Sequence, residues 1–248
     1  MPLAYDLQTD RGPAMGLILL QTDELIEVEL GKLFLDVGVR LYQNRIACMP
    51  EVLPETLVLM AETMTDCAAM LPKEAGIRSI AYGCTSGTTI LGEARVTELI
   101  QAAHPGVSVT NPLSALKAAC RVLGVRKLGI VSPYVVDVSG ALNETIESSG
   151  VEVSAYGSFE QAEDHTVAMI SPVSILDAIV EIGGSDCDAV FASCTALRAM
   201  ETIPEAESRL GKPVLCSNQV MGWHMLRMAG INAPVAGGGR LFDHGLGG

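Results

Sequence analysis

The chain has 248 residues, about half of them apolar, enough to bury a sizeable core as one large domain or as two small ones packed together. With 29 acidic residues against 16 basic ones, the net charge of −13 offers no basic stripe to a phosphate backbone and would be repelled by an anionic membrane surface. Its apolar runs stop short of the roughly 18 to 20 residues of a membrane span, and Met1 to Arg11 lack the basic-then-apolar order of an export signal, so the expectation is a cytoplasmic protein with neither nucleic acid nor membrane as partner.

Short apolar runs alternate with longer helical patterns from end to end, the signature of βα units and a parallel sheet. In chain order, strands are predicted at Gly16–Leu20, Arg40–Gln43, Ser79–Gly83, Val107–Thr110, Lys127–Val131, Val151–Tyr156, Ala189–Ser193 and Pro213–Cys216. Between them, Leu53–Met70 and Ser174–Ile182 carry apolar residues at three- and four-residue spacing, as buried helix faces require, and Pro54 suits the first turn of the former. The glycine-rich tail after Gly237 is expected to be mobile or draped over a neighbouring subunit.

The pattern also repeats. Met15-Gly16-Leu17-Ile18-Leu19 aligns with Leu128-Gly129-Ile130-Val131-Ser132, and Ile80-Ala81-Tyr82-Gly83-Cys84-Thr85 aligns with Val190-Phe191-Ala192-Ser193-Cys194-Thr195. A third pair sets Val109-Thr110-Asn111 against Leu215-Cys216-Ser217-Asn218, and the offsets run 113, 110 and 107 residues. A drifting offset in constant order is the mark of a duplicated unit. The expected fold is therefore α/β, with two similar Rossmann-like parallel-sheet halves related by a pseudo-twofold axis. The first half is placed at 1–118 and completed by a C-terminal helix at 219–248; the second is placed at 119–218.

Ligands of open parallel sheets collect beyond the carboxyl ends of the strands, where Cys84 and Cys194 both fall. In Gly83-Cys84-Thr85-Ser86-Gly87-Thr88 a strand ends, a thiol appears and small residues open a helix, whose free N–H groups suit a carboxylate and lower a thiol pKa. Ser193-Cys194-Thr195-Ala196-Leu197-Arg198 repeats the arrangement without the glycine. Either cysteine alone reads equally well as a small buried hydrophobe; their matched places favour function. Two opposed thiols can invert a carbon beside a carboxylate, one thiolate removing the proton and the other thiol returning one, or a thiolate can add to a double bond, allow rotation and leave. Cys48, Cys67, Cys120, Cys187 and Cys216 read as fillers, and Asn111 and Asn218 as turn formers or as holders of the thiol loops. No CxxC occurs, and the four scattered histidines form no HxxxH or HExxH pair, so no metal is expected.

The motifs GCTSGT at Gly83–Thr88 and SCTALR at Ser193–Arg198, with VSPY at Val131–Tyr134 and SNQ at Ser217–Gln219, resemble the maleate cis-trans isomerase and ectoine-utilisation EutA branch of the aspartate/glutamate racemase superfamily. The resemblance runs from about Gly16 to about Ala229. It implies an active site between two Rossmann-like halves, no metal or organic cofactor, and a homodimer or homotetramer. It also implies that Cys84 is the nucleophile or first acid/base, that Cys194 is its partner thiol, that Tyr134 hydrogen-bonds the substrate carboxylate, and that Thr85, Ser86, Thr195 and Ala196 supply backbone N–H donors. Arylmalonate decarboxylase, a relative, carries glycine at the first thiol position, so Cys84 argues against that activity.

Two departures bear on the substrate. Where maleate isomerases place asparagines, this chain has Asp23 and, by a looser match, Asp164. Amides donate hydrogen bonds to a dicarboxylate, whereas ionised acids repel one, so a substrate bearing an ammonium or amide N–H fits better. As an alternative, Asp23 caps the following helix and Asp164 is a solvated loop acid. The expected function is a cofactor-independent racemase or isomerase of a small carboxylate, an amino acid or N-acyl amino acid. Maleate-to-fumarate isomerisation is the alternative within that class. A two-lobed small-molecule binding protein is the alternative of another class, although a sensor has no need of paired thiols.

Overall fold

The computed structural model describes residues 1–49 and 54–247, with the backbone alone at 54 and 136–139. Among the described residues, eight strands form two sheets of four. Strands β1 (Ala14–Leu20), β2 (Arg40–Ile46), β3 (Ile77–Gly83) and β4 (Ser108–Thr110) lie in the order β2-β1-β3-β4. Strands β5 (Lys127–Tyr134), β6 (Glu152–Gln161), β7 (Ala189–Ala192) and β8 (Val214–Cys216) repeat that order as β6-β5-β7-β8, and every pairing is parallel. Helices α1 (Ile26–Asp36), α2 (Pro54–Ala69), α3 (Thr85–Leu91), α4 (Glu93–Ala103) and α5 (Pro112–Leu123) belong to the first run of strands. Helices α6 (Val136–Glu147), α7 (Asp164–Ala168), α8 (Pro172–Gly183), α9 (Ile203–Leu210) and α10 (Ser217–Met228) follow.

All eight predicted strands form, and the central ones do so for the reason their sequence suggests. β1 and β7 are buried at every position, so their uninterrupted apolar runs are covered on both faces. β6 runs five residues beyond the predicted end at Tyr156, because its polar continuation GSFEQ lies on a sheet edge where only one side needs a partner. Helix α2 starts at Pro54; Leu53, the predicted start, lies outside the described residues. Apolar side chains from both runs merge into shared layers. One joins Leu57, Met60 and Ile100 to Ile175, Ile179 and Ile203, and the other joins Leu30, Phe34 and Leu116 to Leu142, Val220 and Trp223.

The duplication holds at the level of register. Gly16 pairs with Tyr42 and Ile80, and Gly129, 113 residues later, pairs with Ala155 and Val190. Both glycines sit where a helix or neighbouring strand closes in: a Cβ would lie 2.9 Å from Ile80 and Leu71 atoms at Gly16, and 2.7 Å from an Ile182 carbon at Gly129. The third pair needs correction. Ile80 pairs with Val109 and Val190 pairs with Val214, so the last strands are offset by 105 residues rather than 107. Asn111 caps α5, its Oδ1 accepting from the Ser114 N–H at 2.8 Å, and the matching cap of α10 is Cys216, not Asn218. The expected division after residue 118 falls inside α5, which runs unbroken to Leu123 and ends at a left-handed Gly124. Helix α10 packs on α1, α5, β3 and β4 of the first sheet as well as on its own β8.

Candidate active site

Cys84 follows buried β3 directly and caps α3, with its Sγ accepting the Gly87 N–H at 3.1 Å. The glycine makes room for this: a Cβ at Gly87 would stand 3.0 Å from Cys84 Sγ and 2.4 Å from the Tyr82 hydroxyl. Cys194 is presented differently from its expected repeat. No helix opens after it; β7 gives way to a turn, and Cys194 itself adopts φ of 125°, a conformation that costs a residue with a Cβ on the order of 1–3 kcal/mol. The surroundings hold it there. Its N–H donates to Ser217 Oγ at 3.0 Å, its Sγ accepts from the Ala196 N–H at 3.3 Å, and the next carbonyl, of Thr195, accepts from Asn218 Nδ2 at 2.8 Å. Asn218 Nδ2 also donates to Glu29 Oε2 at 2.7 Å, a carboxyl that burial pushes up to about 7.

The two thiol loops touch. Thr85 Oγ1 lies 3.0 Å from Ser217 Oγ, and Thr195 Oγ1 donates to the Gly83 carbonyl at 3.4 Å. Between the loops lies a cavity lined by Cys84 and Cys194 together with Thr85, Ser86, Tyr134, Asp164 and Thr195, and walled by Leu20 and Leu57. Its volume, about 10 Å³, is room for a single water, so a small organic acid enters only when part of the lining withdraws.

Asp23 and Ala196 stand outside this lining. Ala196 reaches the site through its N–H. Asp23 is buried and uses Oδ1 to accept the N–H groups of Leu25 and Ile26, both at 2.8 Å, which is the helix-capping role. Burial holds its pKa above the usual carboxylate range despite those two N–H donors. Asp164, far from being a solvated loop acid, is only 6% exposed. Its Oδ1 accepts the Tyr134 hydroxyl at 2.6 Å and its Oδ2 the Thr22 hydroxyl at 2.7 Å. The Tyr134 hydroxyl is also 3.1 Å from Cys194 Sγ. On the outer side, His165 Nδ1 meets Glu24 at 2.7 Å, a second tie between α7 and the loop after β1.

Sequence reasoning passed over Thr22 and Ser217, although both lie in segments it examined, beside Asp23 and within the SNQ motif. It also mistook the resting state of the thiols. A helix start was expected to lower the Cys84 pKa, yet burial outweighs the Gly87 N–H and pushes it up to about 12. Cys194 is raised too, by burial first and then by the charge of Asp164, against its hydrogen bonds with Tyr134 and the Ala196 N–H. Both thiols therefore rest protonated. Among the described residues no group of three His, Cys, Asp or Glu is placed to hold a metal, and no helix is long and apolar enough to cross a membrane.

This arrangement can be set beside known proteins. A model of the arylmalonate decarboxylase family matches residues 16–242, nearly the whole chain. The chain belongs to the arylmalonate decarboxylase family. Within it, the arylmalonate decarboxylase of Bordetella bronchiseptica is 28% identical over 247 residues, covering 96% of this chain and 99% of that protein. A maleate isomerase from Alcaligenes faecalis is 25% identical over 203 residues, 79% of this chain and 80% of its own. In three dimensions, a variant of the maleate isomerase Iso from Pseudomonas putida S16, solved with maleate, superposes with a TM-score of 0.86 at 22% identity over 93% of this chain and 97% of that one. The α/β fold of two parallel-sheet halves is thus shared with this family.

Proposed function

We propose that the protein is a cofactor-independent racemase or isomerase of a small carboxylate, with an amino acid or N-acyl amino acid as substrate. The observation that carries this reading is that Cys84 and Cys194, from the ends of strands in two different sheets, line one small cavity. A carbon held between them is reached from both faces, so one thiolate removes a proton and the opposite thiol returns one. Thr85, Ser86, Thr195 and Ala196 orient the carboxylate through backbone N–H groups and hydroxyls. Asp164 at the Tyr134 hydroxyl favours a substrate that presents an N–H there, since a second carboxylate would be repelled.

Maleate isomerisation is the second reading. It is supported by the name of the Alcaligenes faecalis relative, and it would use the same cavity through thiol addition to the double bond. The family's other named activity fits less well, because Cys84 stands where arylmalonate decarboxylase resembles this motif with glycine in place of the thiol. We also propose a cytoplasmic homodimer or homotetramer, with the two halves of the chain dividing near α5 and α10 completing the first.

The test is a proton NMR screen in deuterated water over free amino acids, N-acyl amino acids and maleate. The reading predicts deuterium at the carbon next to the carboxylate of one of the first two groups, with inversion. Conversion of maleate to fumarate without exchange into the amino acids would move the function to the second reading, and inertness toward all three would overturn both.

A further inference from the structure

Both thiols are buried and protonated, so the proposed chemistry needs a way to make a thiolate without sending charge through a low-dielectric site. We propose that Asp164, acting through Tyr134, is the internal proton acceptor for Cys194, and that Cys194 rather than Cys84 is the thiol that ionises first. This deepens the proposed function by assigning the base, and rests on that function only for its use.

The direction of the relay follows from the tyrosine having one proton and making its shorter contact with Asp164. The Tyr134 hydroxyl donates to Asp164 Oδ1 at 2.6 Å, which leaves the Tyr134 oxygen to accept the S–H of Cys194 at 3.1 Å. Two protons then move together. The S–H bond of Cys194 breaks as an O–H bond forms on Tyr134, and the original Tyr134 O–H breaks as one forms on Asp164 Oδ1. The products are a Cys194 thiolate, a neutral tyrosine and a neutral carboxylic acid. No proton leaves the cluster and its net charge is unchanged, so the burial penalty that opposes simple ionisation of either thiol is largely avoided. Thr22 holds the other oxygen of Asp164 at 2.7 Å and so presents Oδ1 to the tyrosine. Cys84 takes its hydrogen bond from the Gly87 N–H and faces the same cavity from the other sheet, where it remains the protonated partner.

Among the described residues, the titratable groups around Cys194 are Tyr134 from β5, Asp164 from α7, Asp23 from the loop after β1 and Cys84 across the cavity; Thr22 and, at 3.5 Å from Thr22, Cys48 lie beside Asp164. Two accounts of Asp164 predict opposite signs. If Asp164 acted only as a nearby negative charge it would hold the thiol protonated, and removing the charge would speed the thiol's reaction. If it accepts the proton, removing it slows the reaction.

The experiment measures alkylation of each cysteine by iodoacetamide from pH 5 to pH 9, read by peptide mass spectrometry, in the wild type, Asp164→Asn and Tyr134→Phe. No substrate is involved, so a failure here is separate from a failure of the function. Cys84 shares the cavity and reports any change in access. The relay predicts that Cys194 slows relative to Cys84 by about tenfold or more in both variants, the equivalent of one unit of thiol acidity, and that the low-pH reactivity of the wild type is lost. Tyr134→Phe keeps the charge and the ring, and carries the test if Asp164→Asn folds poorly. Faster Cys194 labelling in Asp164→Asn, or unchanged ratios and pH profiles in both variants, would overturn the proposal.

Discussion

Replacing Cys84 or Cys194 by alanine is expected to lower turnover of the cognate carboxylate by about 10² to 10⁴-fold in each case, the range that a positioned proton donor or acceptor contributes. On the proposed function the effect falls on kcat rather than KM, because either substitution removes a group proposed to exchange a proton with the reacting carbon and leaves the N–H groups proposed to bind the carboxylate in place. The double variant should lose little more than the worse single variant, since a reaction that needs both faces stops when either is removed. Stability should fall by about 1 kcal/mol in each, since Cys84→Ala removes the sulfur that caps α3 through the Gly87 N–H and Cys194→Ala the acceptor of the Ala196 N–H, while at Cys194 alanine keeps the Cβ and hence the same strain. Steady-state kinetics of the three variants beside thermal melts check this. Unequal losses, with one variant near wild-type rates, would reduce the chemistry to a single thiol.

The second large effect is expected at Ser217, which no reading of the motifs singled out. Its hydroxyl is fully buried, accepts the Cys194 N–H and contacts Thr85 Oγ1, so one atom ties the Cys194 backbone to the side chain that follows Cys84. Ser217→Ala leaves a buried N–H and a buried hydroxyl one partner short, at a cost of about 1–3 kcal/mol. For a chain of this size that lowers the melting temperature by roughly 2–4 °C per kcal/mol. The clamp on a strained Cys194 is also loosened. A shift of about 1 Å in the thiol is enough to cost on the order of 10²-fold in kcat with KM nearly unchanged. A variant that melts lower but turns over normally would make Ser217 a structural residue alone.

Much of this site was legible because its signals are local. Strand ends marked by Gly83-Cys84 and Ser193-Cys194, and apolar runs such as those of β1 and β7, carry their meaning within a few residues. The duplication supplied the rest, since matched motifs in two sheets place two thiols at equivalent strand ends. What escaped notice depends on the third dimension. In sequence Asp23 suits a site acid and a helix cap equally, and only the backbone after β1 shows its Oδ1 turned to two N–H groups. The positive φ of Cys194 has no sequence mark, because nothing in SCTALR resembles the glycine that such a turn ordinarily takes. The thiol pKa is hidden for a related reason: a helix start is visible in sequence, whereas the burial that overrides it at Cys84 is not.

The central claim is that Cys84 and Cys194 act together on one small carboxylate. It is tested most directly by a short bis-electrophile such as 1,3-dibromoacetone, followed by peptide mapping with and without the cognate substrate. The account predicts a single intramolecular bridge between the Cys84 and Cys194 peptides that appears faster than labelling of the other five cysteines and is suppressed by substrate. Separate single adducts on the two thiols, or a bridge that forms equally well with substrate bound, would contradict it.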